Sequence, residues 1–144
     1  MHMQIRCHPR ASAPDVAKLL GLLKDGNVDL LTIGGSDVEF GGELAIVPKE
    51  GQEGRAMEIL LGAHYDAREV HVDDPESGLT LCEVDDAPGK LFDCLTGISL
   101  GNLNSGRIIR DLVVGPPSTE SGHEGKVPVH IYSELVRTFA NQGS

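Results

Sequence analysis

The sequence predicts an α+β fold of two consecutive ferredoxin-like (βαββαβ) repeats, each an antiparallel sheet with its helices on one face, the second incomplete. Three observations predict it. First, strand-like and helix-like hydrophobic periods follow the order β-α-β-β-α-β over the first half. Two right-handed β-α-β crossovers fold that order into one antiparallel sheet. Second, a proline-primed strand-to-helix turn occurs twice, at Ala13-Pro14-Asp15 and at Ala87-Pro88-Gly89, about 74 residues apart. Third, each following helix closes on a similar signature, Gly26-Asn27-Val28-Asp29 and Gly101-Asn102-Leu103-Asn104. That period is too long for a solenoid and suits a duplicated small domain, with repeats over 1–74 and 75–144.

Met3, Ile5 and Cys7 alternate with Gln4, Arg6 and His8, the pattern of a half-buried strand. From Pro14 the period changes: Val16, Leu19, Leu20 and Leu23 share one helical face. Asp15 suits the first turn, Lys24 the last, and Gly26 a left-handed cap. Val28 to Ile33 reads as the second strand and Leu44 to Val47 as the third, stopped by Pro48. The glycines from Gly34 to Gly42 punctuate the hairpin between them. Ala56, Ile59, Leu60 and Ala63 mark a second helix, and Glu69 to Val72 a fourth strand. Asp73 to Gly78 reads as a linker.

The second half begins alike. Leu79 to Val84 is a strand, and Asp85-Asp86 end its apolar run. Ala87-Pro88-Gly89 turns the chain, and Leu91, Leu95 and Ile98 form a helical stripe to about Leu100. Pro88 suits a first helical turn, Gly89 permits close approach to the backbone, and the helix start offers N–H groups to a carboxylate or phosphate. Asn104 to Val114 and Val127 to Tyr132 read as strands around a breaker-rich loop, 115–125. A short helix over Glu134–Gln142 follows, and nothing remains for a last strand.

Composition narrows the function. The net charge is −10, and Lys and Arg nowhere cluster as a nucleic-acid face requires. Aromatics are 3%, too few for base stacking. No apolar run approaches a membrane span, and no signal-peptide pattern opens the chain. Cys7, Cys82 and Cys94 form no CxxC, and an odd count argues against a disulfide framework, so a reducing cytoplasm is expected. Cys7 and Cys82 read as strand packing residues. The histidines make no His-x3-His or HExxH, so no metal is expected. No Gly-x-Ser-x-Gly elbow or phosphate loop appears, and no cofactor is expected.

The turn Asp86-Ala87-Pro88-Gly89-Lys90-Leu91, in its β-α-β-β-α-β setting, resembles that of ACT domains, the small-molecule-sensing modules of amino-acid metabolism. Their Asp-x-Pro-Gly-x-Leu turn follows the first strand, and a helix-closing glycine precedes a polar residue, as in Gly26-Asn27 and Gly101-Asn102. The resemblance runs from about residue 3 to 140. His8 to Asp15 departs from it, being longer and lacking Pro-Gly. The resemblance implies a non-catalytic protein that binds an amino acid or similar small metabolite between paired repeats. It also implies a homodimer and a partner enzyme or regulator that receives the output. Carried over, the binding residues are Asp85, Asp86, Ala87, Pro88, Gly89 and Lys90, with Asn102 and Asn104, faced by Asn27 and Asp29. Two competing readings are a small enzyme on this scaffold, with His8, Arg10 or His71 as acid–base groups, and a ligand-free oligomerisation module.

Overall fold

In the computed structural model, residues 1–9, 13–38 and 42–136 are described, apart from the side chains of residues 13, 14, 103 and 104. The element order is β1 (Met3–His8), α1 (Ala13–Asp25), β2 (Leu30–Ser36), β3 (Glu43–Pro48), α2 (Glu53–Gly62), β4 (Asp66–His71), β5 (Leu79–Val84), α3 (Lys90–Ser105), β6 (Arg107–Val114) and β7 (Val127–Leu135). Two antiparallel sheets result. The first has the strand order β2-β3-β1-β4, the ferredoxin-like arrangement. The second has the order β5-β7-β6, which repeats the order β1-β3-β2 of the first. Among the described residues no strand lies beyond β5. The fold class is therefore α+β with a ferredoxin-like first unit and an incomplete second one.

Alternation along β1 sends its side chains to two different layers. Met3, Ile5 and Cys7 join Leu19 and Leu23 of α1, Leu44 and Ile46 of β3, and Ala56 and Leu60 of α2 in the main apolar core. Gln4 and Arg6 point the other way, yet they are 0% and 1% exposed, because the second sheet covers that face. The two sheets thus pack face to face, with α1 and α2 outside one and α3 outside the other. Ala45 and Val47 meet Val113 across the gap, and Val70 meets Leu79 and Tyr132. Thr32 Oγ1 donates to the Val114 carbonyl at 2.9 Å.

Several boundaries differ from those expected. The left-handed residue ending α1 is Asn27 (φ 60°), not Gly26. Val28 N–H bonds to Leu23 O and Asn27 N–H to Lys24 O, a Schellman closure whose apolar contact is Val28 on Leu23. α2 ends the same way, with His64 at φ 66°. β2 runs on through Gly34 and Gly35 instead of breaking there. α3 continues five residues past Leu100 and is capped by Gly106, so Gly101 and Asn102 lie inside the helix and β6 starts at Arg107. Glu134 and Leu135 belong to β7 and not to a helix; residues 137–142 of that expected helix lie outside the described residues.

Candidate functional site

The turn after β5 is built by local backbone bonds. Ala87 N–H donates to Asp85 O at 2.8 Å and Lys90 N–H to Ala87 O at 3.3 Å. Gly89 is the N-cap of α3 at φ 83°, so only glycine takes the position without strain. Pro88 precedes the helix by two residues instead of opening it, and a Cβ at Gly89 would meet nothing within 4 Å. Glycine is thus set there by backbone geometry and not by a close neighbour. Asp85 to Lys90 are all exposed. Lys126 Nζ lies 3.5 Å from Asp85 Oδ1, a contact between exposed groups.

Asp85 to Lys90 stand at the end of the sandwich where β2 begins. A cleft of about 230 Å³ opens there between the sheets. Leu31 of β2 and Glu83 of β5 both line it, two residues beyond Asp29 and two before Asp85. Its walls are apolar, from Met1, Met3, Val47, Leu81 and the prolines 48, 116, 117 and 128; its charged side chains are Glu50, Glu53, Glu83 and Glu120. None of the described candidate residues lines this cleft. Asn27 and Asp29 instead border a second, more open depression with Leu20, Leu23 and Lys24. Asp29 is held through its backbone, its N–H donating to Gln52 Oε1 at 2.7 Å and its carbonyl accepting from Lys49 N–H at 2.8 Å.

Asn102 sits at the opposite end of α3, twelve residues from Lys90, or roughly 18 Å at helical rise. It therefore cannot share one site with the turn of its own repeat. Its buried Nδ2 has no hydrogen-bond partner among the described residues. The Asn104 side chain lies outside the described residues.

The strongest electrostatics lie deeper, between the sheets, on the face of β1 that its half-buried pattern would leave to solvent. Arg6 Nε donates to Glu43 at 3.0 Å, Nη1 to Gln4 at 2.7 Å, and Nη1 and Nη2 to Asp111 at 3.2 and 2.6 Å. Its guanidinium carbon stacks 3.7 Å from the centroid of the Tyr132 ring. Burial pulls the Arg6 pKa down, but hydrogen bonds and charge from Asp111 and Glu43 more than offset this and leave it raised. Burial pushes the Glu43 carboxyl up, and bonds from Arg68 and Arg6 outweigh that and hold it low. Arg68 also donates to Tyr132 Oη at 2.9 Å. His130 is buried between Gln4 Nε2 at 3.1 Å and the Met1 carbonyl at 3.0 Å, and burial lowers its pKa to about 4.

The acid–base groups of the enzyme reading are not gathered. His8 lies opposite Asp66 and His71 opposite Met3, at the two ends of β1 and so roughly 17 Å apart. Each has its own carboxylate, Glu43 at 3.3 Å and Glu69 at 3.2 Å. Arg10 lies outside the described residues. Among the described residues no three His, Cys, Asp or Glu side chains are placed to hold a metal, and no helix is long and apolar enough to cross a membrane.

One cysteine expectation is corrected. Cys82 and Cys94 form a disulfide between β5 and α3, with Cα atoms 6.9 Å apart. Spacing concealed the pair because strand and helix meet only after the turn has folded back. Cys7 is free and buried, and burial pushes its thiol up to about 12.

No protein-family model matches the sequence, and no curated protein matches it. Solved structures do. A protein from Bacteroides thetaiotaomicron superposes with a TM-score of 0.62 at 13% identity, over 97% of this chain and 84% of that one. The ligand-free regulatory subunit of aspartate kinase from Thermus thermophilus superposes with a TM-score of 0.53 at 15% identity, over 91% and 82%. A structure of aspartokinase alpha and beta subunits gives 0.50 at 18%, again over 91% and 82%. At these identities the likeness establishes the fold alone: this chain shares the architecture of these structures, with a ferredoxin-like first sheet.

Proposed function

We propose that this chain is a non-catalytic sensing protein that binds an amino acid or similar small metabolite in the cleft between its two repeats. The observation that carries this reading is the cleft's position, with the start of β2 on one side and the end of β5 on the other. The likeness of the fold to a kinase regulatory subunit supports a regulatory role. In this reading apolar walls hold the metabolite's carbon skeleton. The cleft glutamates Glu50, Glu53, Glu83 and Glu120 receive an ammonium group. Asp85 and Asp29 stand two residues outside the lining positions Glu83 and Leu31, so they flank the cleft without lining it, and Asn27 borders the separate depression. Phe92, 71% exposed, and Leu100, 60% exposed, give α3 an apolar surface for a second copy, consistent with a homodimer. The output passes to a partner enzyme or regulator in the cytoplasm.

A thermal-shift screen against the twenty amino acids tests this. Binding to the folded state alone stabilises by about 2.7 kcal/mol at a hundredfold excess over Kd, enough to raise the melting temperature by several degrees. One or a few amino acids are expected to do so, and Leu31→Gln, on an exposed part of the cleft wall, is expected to abolish the rise. No rise with any amino acid overturns the reading.

A further inference from the structure

We propose that the Cys82–Cys94 disulfide is a redox-reversible clasp on the Asp85–Lys90 turn, whose thiol–disulfide state sets how ordered that turn is and how tightly the adjoining cleft holds its metabolite. The regulatory half rests on the sensing reading above; the clasp itself does not.

The placement carries it. The two cysteines are 12 residues apart, and the whole turn lies between them. Cys82 is on the outer face of β5 and Cys94 on the face of α3 that covers that sheet. From Asp85 to Asp93 nine consecutive residues are exposed, and Cys94 is the first residue of α3 to be even half-buried. Apart from the disulfide, the polar side-chain contact that ties the turn to the rest of the molecule among the described residues is Lys126–Asp85 at 3.5 Å. An ion pair between exposed groups restrains little. Opening the disulfide therefore frees the turn and the first helical turn together, while Leu95 and Ile98 keep the rest of α3 on the sheet.

The chemistry balances with a cellular dithiol or glutathione as reductant. A reductant thiolate attacks one sulfur of the disulfide and expels the other as thiolate. A second reductant thiol then resolves the mixed disulfide. Two electrons and two protons pass to Cys82 and Cys94, and the reductant becomes a disulfide. Both sulfurs belong to half-buried residues, within reach of a small thiol. Cys7 is fully buried in the core of the first sheet and takes no part in the exchange. A disulfide made and broken in this way is the kind compatible with a reducing compartment.

The test compares the full chain, air-oxidised and after reduction with dithiothreitol, by hydrogen exchange followed by mass spectrometry. The hydrogen-bonded amides of Ala87, Lys90 and Asp93 are expected to exchange about tenfold faster after reduction, as the cross-link's restraint on this loop is lost. Those of β1 are expected to stay unchanged. Cys82→Ser/Cys94→Ser and Cys94→Ser should reproduce the reduced pattern under oxidising conditions. Equal exchange in both states, or alkylation showing Cys82 and Cys94 unpaired in the air-oxidised folded chain, overturns the clasp. The amino-acid thermal-shift screen is then run in both states. A shift that shrinks on reduction supports the regulatory half, and an equal shift overturns it while leaving sensing intact. No shift in either state defeats sensing and with it the regulatory half, while hydrogen exchange still decides the clasp.

Discussion

Arg6 is the residue on which the packing of the two sheets turns. Its side chain is 1% exposed, and it faces carboxylates of both layers, Glu43 from its own sheet and Asp111 from the other. Truncating one member of a buried ionic network leaves its partners desolvated without compensation, at a cost of about 3–5 kcal/mol. Arg6→Met is expected to lower stability by that amount in urea denaturation, and Arg6→Met/Asp111→Leu to be less destabilised than the two single changes summed. A loss below about 1 kcal/mol for Arg6→Met would mean the network holds nothing in place. This residue also marks a limit of sequence reading. Alternation along β1 correctly assigned Ile5 and Cys7 to one face and Gln4 and Arg6 to the other. Nothing local says that the polar face is roofed by a strand about a hundred positions later. Asp111, within the stretch Asn104 to Val114 that reads only as a strand, carries no local signal that it pairs with Arg6.

At the scale of elements, the fold was legible where a hydrophobic period repeats and less so where tertiary contact overrides local signals. The strands of the first sheet and the stripes of α1 and α2 follow from their periods. The far end of β2 does not, because Gly34 and Gly35 read as punctuation. A Cβ at Gly34 would lie 2.7 Å from Val113 Cγ2, so glycine here lets β2 and β6 approach across the gap between the sheets. Gly34→Ala is accordingly expected to cost about 1–3 kcal/mol by overpacking. Val113→Ala in the same chain should recover part of that loss, and a double-mutant cycle from urea midpoints measures the coupling. Additive effects would place the cost elsewhere. The Pro-Gly turn was legible as a turn, since Gly89 adopts the left-handed conformation, but the cleft beside it was not. Leu31, Glu50, Glu83 and Glu120 come from four separate segments, and no local spacing joins them. The one available hint was the breaker-rich 115–125 loop, which supplies Pro116, Pro117 and Glu120 to the cleft.

At the scale of the whole molecule, the polar groups sealed between the sheets tie stability to pH, and His130 sets the main window. Burial lowers its pKa from 6.5 to about 4, so the folded chain keeps this imidazole neutral where the unfolded chain protonates it. Between those two values the unfolded state binds more protons, and stability therefore falls as pH falls, by up to about 1.4 kcal/mol per pH unit. Glu43 acts in the same direction further down. Its pKa is held below 4.5, so its contribution is present above that value and is lost as pH drops through the lower folded one. Urea midpoints measured from pH 7 to pH 4 should decline steadily, and His130→Gln, which cannot take the proton, should flatten the decline down to about pH 4.5 while lowering stability at pH 7. Because His130 bonds to Gln4 on one sheet and belongs to the other, protonation should loosen both halves at once. Tyr65, bonded to Asp15 in the first core, and Tyr132, between the sheets, report on them separately. Fluorescence of the Tyr65→Phe and Tyr132→Phe chains should therefore show the two halves unfolding together, with the pH dependence of both transitions intact. Separate transitions, or a midpoint indifferent to pH in this window, would show that the sealed polar layer does not couple the two sheets.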